Sequence, residues 1–188
     1  MSYTTNEYLN FVSVAQMFSS EECDSLIKMF AGNWKSGVTV GSRITGETDN
    51  IRVVDIAMNE LPKLITSKIF QKILEANSKF YNFKLTDFRP HDPPLIFKYS
   101  SDNQSHYDWH NDFGPTNTST RKLSFSIILS DPAEFQGGDL EFLPSFGKGN
   151  IQKGSIVIFP AYLTHRVTPV TAGTRYCIVG WVHGEAFR

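Results

Sequence analysis

The chain has 188 residues, of which 40% are hydrophobic and 20% charged, and its formal net charge is −1. This composition fits one globular domain with a continuous core, and it leaves no electrostatic case for nucleic acid as the main partner. The amino-terminal stretch MSYTTNEYLNFVSV lacks a basic region before an apolar run, and no apolar run approaches the roughly 20 residues needed to span a bilayer. We therefore expect no secretory signal and no membrane partner.

The only cysteines of the sequence are Cys23 and Cys177, which are far apart. Two widely separated cysteines argue against a disulfide framework and against a structural zinc knuckle. The sequence therefore predicts two buried thiols in a reducing, cytoplasmic environment.

Two helices are predicted in the amino-terminal third. In SSEECDSLIKMF, Ser19 and Glu22 have capping-box spacing, and the apolar residues that follow lie on roughly one face. The stretch ELPKLITSKIFQKILEANSKF repeats apolar residues at helical intervals, and Pro62 is compatible with a first turn. Between the two helices, residues 35–50 are rich in Gly, Ser and Thr and precede the strand-like IRVVDIAM. Residues 35–50 are either a mobile lid or a plain surface loop.

From Tyr81 onward, short β-rich runs alternate with Gly, Pro and Asp: LIFKY, KLSFSIIL, DLEFL, SIVIF, HRVTPV and TRYCIVGWV. Helices followed by many short antiparallel strands predict a β-sandwich or jelly roll with helices packed on one side. We expect residues 1–188 to form one domain, helical to about residue 80 and β-rich from about residue 81. Hairpin turns are predicted at Gly137–Gly138 and in the PVTAG stretch before TRYCIVGWV.

The stretch HYDWHND, residues 106–112, is the first indication of a metal site. If the segment is extended, His110 and Asp112 project to the same face, and His165 at the start of a later strand is the candidate third ligand. Two histidines and one carboxylate make the facial triad of non-haem iron oxygenases. Zinc is the competing metal, although a hydrolytic zinc site would want a general base as in HExxH, which is absent.

The remaining histidines are His91, His106 and His183. His106 lies beside the HxD pair but outside its pattern, His91 lies in a predicted turn, and His183 is near the carboxyl end. All three are interpreted as loop histidines outside the site.

Arg175 lies on the otherwise apolar strand TRYCIVGWV, where alternation puts it on one face with Cys177, Val179 and Trp181. A buried arginine is costly unless it meets a carboxylate, and a bidentate contact with a dicarboxylate co-substrate would satisfy it. The alternatives are an internal pair with Asp or Glu, or an arginine on the solvent face.

Taken in order, HYDWHND, GGDLEF and KGSIVIFPAYLTHRVTPVTAGTRYCIVGWV resemble the Fe(II)- and 2-oxoglutarate-dependent dioxygenases of the prolyl 4-hydroxylase-like group, especially the PKHD-type hydroxylases. The resemblance covers about residues 95–183. It implies a double-stranded β-helix in which His110, Asp112 and His165 hold Fe(II). It also implies that Arg175 binds the distal carboxylate of 2-oxoglutarate.

The same resemblance assigns further site residues. Tyr99 matches a tyrosine that hydrogen-bonds the co-substrate, and Ser124 or Ser126 could offer it a hydroxyl. Trp181 is either a pocket wall or a core tryptophan. The residues placed tentatively at the substrate pocket are Tyr107, Trp109, Trp181 and Arg43.

The implied reaction is O2-dependent hydroxylation of a C–H bond with release of succinate and CO2, with ascorbate as a candidate reductant. A prolyl residue in a peptide or protein is the expected substrate, and a free amino acid or another small molecule is the alternative. Residues 35–50 and 91–94 would border the pocket mouth. Two rival functions are a zinc or manganese enzyme of cupin type and a non-catalytic cupin-like metal-binding module.

Overall fold

The computed structural model describes residues 3–6, 11–14, 16–37, 39–40, 50–143 and 151–186. Two α-helices, α1 (Ser20–Met29) and α2 (Lys63–Ala76), are present in these residues, and a π-helical turn (Asn77–Tyr81) continues α2. The strands are β1 (Tyr3–Asn6), β2 (Phe11–Val14), β3 (Trp34–Ser36), β4 (Thr39–Val40), β5 (Asn50–Val53), β6 (Asp55–Ala57), β7 (Leu95–Ser100), β8 (His106–His110), β9 (Arg121–Ile128), β10 (Phe135–Gly137), β11 (Leu140–Phe142), β12 (Ile156–Pro160), β13 (His165–Val167) and β14 (Val170–His183). Neither helix is long and apolar enough to cross a membrane.

Both predicted helices are confirmed. The side chain of Ser19 accepts a hydrogen bond from the Glu22 amide while the Glu22 carboxylate accepts one from the Ser19 amide, which is the capping box that the sequence predicts. Helix α2 begins after Pro62, which has no side chain to cap it, and buries Ile69 and Ile73.

In the described part of the chain, two antiparallel sheets account for the strands. The major sheet has nine strands in the order β1-β2-β12-β9-β14-β7-β6-β3, with β10 beside the start of β14. The minor sheet has five strands in the order β11-β13-β8-β5-β4. Phe97 and Cys177 of the major sheet share a buried cluster with Val167 of the minor sheet, so the two sheets pack face to face. This is the predicted double-stranded β-helix.

Strand β9 shows how alternation separates the core from the site. Leu123, Phe125 and Ile127 pack with both helices in the largest buried cluster. The intervening Ser124 and Ser126 point to the opposite face, where they line a cavity between the sheets. The helices therefore cover the outer face of the major sheet, as predicted, and the inner face is left for the site.

Both predicted hairpin turns are wrong. Strand β10 pairs with β14 of the major sheet, whereas β11 pairs with β13 of the minor sheet, so Gly137 and Gly138 carry the chain from one sheet to the other. Likewise the PVTAG stretch is already part of β14, which pairs with β10 there. Alternation and turn residues identify a change of direction, but they do not say which strand lies beside which.

The amino-terminal part of the chain contains strands as well as helices. Strand β2 pairs with β12 at one edge of the major sheet, and β3 and β6 extend the other edge. Of the segment 35–50, Lys35–Ser36 end β3 and Thr39–Val40 form β4, and residues 41–49 lie outside the described residues. The lid interpretation therefore stays a prediction.

Candidate metal centre

Strands β8 and β13 of the minor sheet bring two histidines together. His110 ends β8, His165 begins β13, and the two residues are paired in register. Asp112 follows β8 and its amide donates a hydrogen bond to the Ala161 carbonyl. The ligand atoms of His110, Asp112 and His165 all lie within 4.8 Å of one another. In the described residues this is the single group of three or more potential ligands so arranged.

The backbone orients both imidazoles toward Asp112. His110 Nδ1 lies 2.7 Å from the Asp108 carbonyl oxygen, and His165 Nδ1 lies 2.9 Å from the Leu163 carbonyl oxygen. Since a carbonyl can only accept, each Nδ1 carries a proton, which leaves Nε2 as the nitrogen available to a metal. The Nε2 atoms lie 3.6 Å and 3.4 Å from the Asp112 carboxylate oxygens. This is the tautomer that a metal ligand needs.

The electrostatics of the cluster favour a cation. Burial alone would raise the pKa of Asp112, but the imidazoles of His165 and His110 and the Ser124 hydroxyl hold the pKa well below its usual range. Burial lowers the pKa of His165, against the opposing effect of Asp112. An ionised carboxylate is one of the ligands that a divalent metal needs, and metal binding would displace any proton from the imidazole Nε2 atoms. The donor set of two imidazole nitrogens and one carboxylate fits Fe(II).

A β-bulge in β8 puts Tyr107 beside the triad. Val167 is paired with Tyr107 and His165 with His110, so β8 has one residue more than β13 between these pairs. Tyr107 and His110, three positions apart, therefore lie on the same face and stack with ring centroids 3.4 Å apart. Tyr107 lines the cavity, in agreement with the tentative pocket assignment.

Trp109 does not line the cavity, contrary to the tentative prediction. The bulge leaves its side chain on the opposite face of β8, where it is 36% exposed and the Arg166 guanidinium lies 4.6 Å from its ring centroid. Arg166 is itself paired with Glu141, so this face of the minor sheet is an ordinary solvent-facing surface.

A cavity of about 230 Å³ between the two sheets contains the triad and Arg175. Arg175 is only 2% exposed, and its Nη1 lies 3.1 Å from Cys177 Sγ while the guanidinium lies 5.2 Å from the Tyr99 ring centroid. Among the described residues no carboxylate forms an ion pair with it. Neither the internal pair nor the solvent-facing alternative is therefore seen, and the site contains a buried cation that a ligand carboxylate would neutralise. Burial raises the pKa of Tyr99, whose ring lies beside this guanidinium and whose hydroxyl is therefore neutral.

The two serines predicted for the co-substrate differ in their contacts. The Ser124 hydroxyl donates to Asp112 Oδ2 at 2.6 Å, so its proton orients a triad carboxylate. Ser126 lines the cavity on the same face of β9 and stays a candidate for the co-substrate. The contact between Ser124 and Asp112 is one that spacing in the sequence does not reveal, and the co-substrate role of either serine stays a prediction.

Trp181 lines the cavity and also packs against the buried cluster between the sheets, so its contacts are compatible with both alternatives. Arg121 packs on it, with its guanidinium carbon 3.6 Å from the ring centroid, and also donates to the Asp112 main-chain carbonyl at 3.3 Å. The Trp181 indole nitrogen is buried and has no hydrogen-bond partner among the described residues. Arg121 was not anticipated, because one charged residue at the start of a strand carries no signal in the sequence.

His183 is not the loop histidine predicted. It ends β14, is 0% exposed, and lies 3.1 Å from Asp92 Oδ2 and 2.8 Å from Thr120 Oγ1 through its two ring nitrogens. Asp92 in turn binds the Arg121 guanidinium through both carboxylate oxygens, at 2.7 Å and 2.8 Å. The register of β14 shifts between Val182 and His183, so the alternation that relates Arg175 to Trp181 does not reveal the buried position of His183.

The other assignments lie away from the triad. His106 is the first residue of β8, where its Nδ1 lies 2.9 Å from the Gln104 carbonyl oxygen, and it does not line the cavity. His91 is exposed in a turn, as predicted. The Pro residues of segment 91–94 line a separate groove beside α2, and only Asp92 reaches the cavity wall, through Arg121. Arg43 lies outside the described residues.

Both cysteines are free and buried, as the sequence predicts. Burial raises the pKa of Cys23 to about 11. That thiol therefore behaves as a core residue, packed among the helix side chains of the largest cluster.

Comparisons with known proteins agree with this geometry. Residues 95–183 match the family model of the 2OG-Fe(II) oxygenase superfamily. A PKHD-type hydroxylase of Azoarcus sp. is 31% identical over 178 residues, which are 87% of this chain and 74% of that protein. A PKHD-type hydroxylase of Prochlorococcus marinus is 39% identical over 90 residues, and the match spans 47% of this chain and only 40% of that protein.

Among solved structures, a prolyl hydroxylase from Trichoplax adhaerens, in complex with a hypoxia inducible factor oxygen degradation domain peptide fragment, superposes with a TM-score of 0.68. The two are 18% identical, and the match covers 93% of this chain and 83% of the other. At that identity the likeness shows the fold alone.

Proposed function

Because the chain belongs to the 2OG-Fe(II) oxygenase superfamily and, within it, to the PKHD-type hydroxylases, we propose that it hydroxylates a C–H bond of a prolyl residue in a peptide or protein. The reaction consumes 2-oxoglutarate and O2 and releases succinate and CO2. Hydroxylation of a free amino acid is the alternative within the same chemistry.

The observation that carries the proposal is Arg175. It is buried in the cavity that holds the triad, and no described carboxylate neutralises it. A guanidinium in such a place is costly unless a ligand supplies the anion, and the flat fork of arginine suits a carboxylate. A zinc hydrolase or an isomerase using the same three ligands would have no use for it.

Each residue of the site then has a part. His110, Asp112 and His165 would hold the metal, and Ser124 fixes the orientation of the Asp112 carboxylate through its 2.6 Å hydrogen bond. Fe(II) with bound 2-oxoglutarate and O2 supplies the oxidation of an unactivated C–H bond. Arg175 and the Tyr99 hydroxyl would hold the far carboxylate of the co-substrate.

The protein also excludes water from the reaction. Apolar side chains from both sheets, among them Phe159, Leu140 and Val179, line the cavity. Such walls keep the interior dry and strengthen the charge contacts within it. No protein acid or base is required by this chemistry.

The choice of a peptidyl prolyl substrate is supported by the Trichoplax prolyl hydroxylase, which shares the fold and is bound to a peptide. Its low identity makes this a guide to the class of substrate only. The free amino acid alternative is therefore tested in parallel.

Succinate formation tests the proposal directly. The iron-loaded protein is incubated with 2-oxoglutarate and O2, with and without ascorbate, against a panel of proline-containing peptides and free amino acids. We expect succinate release that depends on one class of substrate.

Arg175→Ala should raise the KM for 2-oxoglutarate roughly 100-fold, since a buried charge contact is lost. The control is Arg166→Ala, a surface arginine outside the cavity. Absence of substrate-dependent succinate, or an unchanged KM in Arg175→Ala, contradicts the proposal.

A further inference from the structure

Three arginines line the cavity, and they differ in what neutralises them. Arg121 is bound by both carboxylate oxygens of Asp92. Arg175, on the proposed function, meets the far carboxylate of 2-oxoglutarate. Arg52 has no such counter-charge. Among the described residues no carboxylate pairs with it, although it faces the same cavity as the triad. Arg52 is therefore the positive charge of the cavity wall that the proposed chemistry leaves without a counter-charge.

The charge balance of the loaded site leads to the same residue. The two charges of Fe(II) and the one of Arg175 are balanced by Asp112 and the two carboxylates of 2-oxoglutarate, and Arg121 is balanced by Asp92. One positive charge is left, on Arg52. A half-buried guanidinium that faces the cavity favours an anion as its partner.

Local contacts hold Arg52 toward the cavity. It lies opposite Tyr107 in the pairing of β5 with β8. Its Nε donates to the Gly37 carbonyl at 2.6 Å, and its guanidinium carbon lies 5.4 Å from the Tyr107 ring centroid. These contacts use Nε and one face of the guanidinium. Its two terminal amino groups have no hydrogen bond among the described residues, and they form the end of the fork that binds a carboxylate through two parallel bonds.

Arg52 is connected to the proposed metal ligand His110 through the ring of Tyr107. Tyr107, against which it packs, is itself stacked on His110. Tyr107 therefore contacts both Arg52 and a proposed metal ligand. An anionic group held at Arg52 would keep a substrate within the cavity that contains the triad.

We propose that Arg52 binds a carboxylate of the substrate and selects anionic substrates for this site. The inference rests on the proposed function, because it takes Arg175 as the 2-oxoglutarate residue. The carboxylate is either that of an acidic residue or chain terminus in a peptide, or the α-carboxylate of a free amino acid. Both offer the same planar anion to the guanidinium.

The test measures binding without turnover. Protein loaded with Zn(II) and N-oxalylglycine, a non-reactive analogue of 2-oxoglutarate, is titrated by calorimetry with matched pairs of probes. One pair is L-proline and L-prolinamide; the other is an N-acetylated, C-amidated peptide with Glu next to Pro, and the same peptide with Gln. We expect the wild type to bind the carboxylate member of one pair about tenfold more tightly or better, the usual value of a charge-assisted contact. The pair that shows the preference identifies the source of the carboxylate.

The variants assign that preference to Arg52. In Arg52→Gln the ratio within the pair should fall close to one, and Arg52→Lys should keep part of it. The control Arg166→Gln removes an arginine that also packs on an aromatic ring but lies outside the cavity, and it should leave the ratio unchanged. N-oxalylglycine affinity should stay within about twofold in Arg52→Gln, because Arg175 binds that ligand.

Two results in the wild type would overturn the inference: equal affinity for the two members of each probe pair, or binding of no probe at all. Two results in Arg52→Gln would also overturn it: a preference for the carboxylate probe that persists, or loss of N-oxalylglycine binding. Failure of the proposed function is distinguishable from these, because wild-type protein would then fail to bind N-oxalylglycine before any substrate probe is added.

Discussion

Arg121, a charged side chain in the wall of the cavity, is held by an ion pair with a residue that lies outside the cavity. Arg121 packs on Trp181 at 3.6 Å and is fixed by Asp92, which in turn contacts the fully buried His183. Asp92 does not itself line the cavity, yet it determines where a cavity arginine lies. The position of Trp181, and with it one wall of the pocket, depends on this chain of contacts.

Asp92 should also contribute to stability in a pH-dependent way. Burial alone would raise its pKa, but the hydrogen bonds from His183 and Arg121 outweigh burial, and the pKa is lowered. A carboxylate whose pKa is lower in the folded than in the unfolded protein stabilises the fold above the unfolded value, near 4. That stabilisation is lost as pH falls through the folded pKa.

We predict that Asp92→Asn lowers the free energy of unfolding by roughly 2 to 4 kcal/mol at pH 7, since Arg121 loses its counter-charge. The difference from the wild type should narrow as pH is lowered below about 4. Urea denaturation at several pH values measures both. In the control Asp24→Asn, an exposed pair with Lys153 is removed and the loss should be at most about 1 kcal/mol. A pH-independent difference would contradict the account.

At the scale of elements, the connection from β10 to β11 leaves the space in which the Arg175 side chain lies. Gly138 has φ +65, and a Cβ there would lie 2.8 Å from Arg175 Cδ and 3.0 Å from Val170 Cγ2. A glycine is needed both for the backbone conformation and for the space that the arginine occupies. The Gly-Gly pair therefore serves the proposed co-substrate site, although the sequence alone indicates a hairpin turn.

We predict that Gly138→Ala raises the dissociation constant of 2-oxoglutarate about 10- to 100-fold, because the Arg175 side chain must move. Iron affinity should change little. Gly32→Ala is the matched control, since Gly32 also has positive φ (+82) but its Cβ would meet nothing within 4 Å. Both variants carry backbone strain, so equal weakening of 2-oxoglutarate binding in the two would refute the specific role of Gly138.

The elements themselves were largely predictable, and their local signals explain why. A capping box at Ser19 and periodic apolar residues in α2 depend on neighbours in sequence, and both helices are as expected. The bulge in β8 was not predictable, because it depends on pairing with β13. That bulge is what turned Trp109 outward and brought Tyr107 onto His110.

For the whole molecule, the architecture arises from pairings between distant segments. Strand β12 lies between β2 and β9, and β14 touches three neighbours along its length. No local pattern specifies such partners; the resemblance of the ordered motifs to a known family supplied the double-stranded β-helix. Within that fold the sequence indicated the triad and Arg175, whereas Arg52, Arg121 and His183 became visible only from their contacts.

The most direct test of the central claim, that the triad holds Fe(II) with 2-oxoglutarate bound between it and Arg175, is an anaerobic titration followed by visible absorption. Adding 2-oxoglutarate to the iron-loaded protein should produce the weak charge-transfer band of the chelate, saturating at one equivalent per chain. Asp112→Ala should bind no iron and give no band, and Arg175→Ala should bind iron but need far more 2-oxoglutarate. Unchanged iron content in Asp112→Ala, or a wild-type protein without the band, would contradict the account.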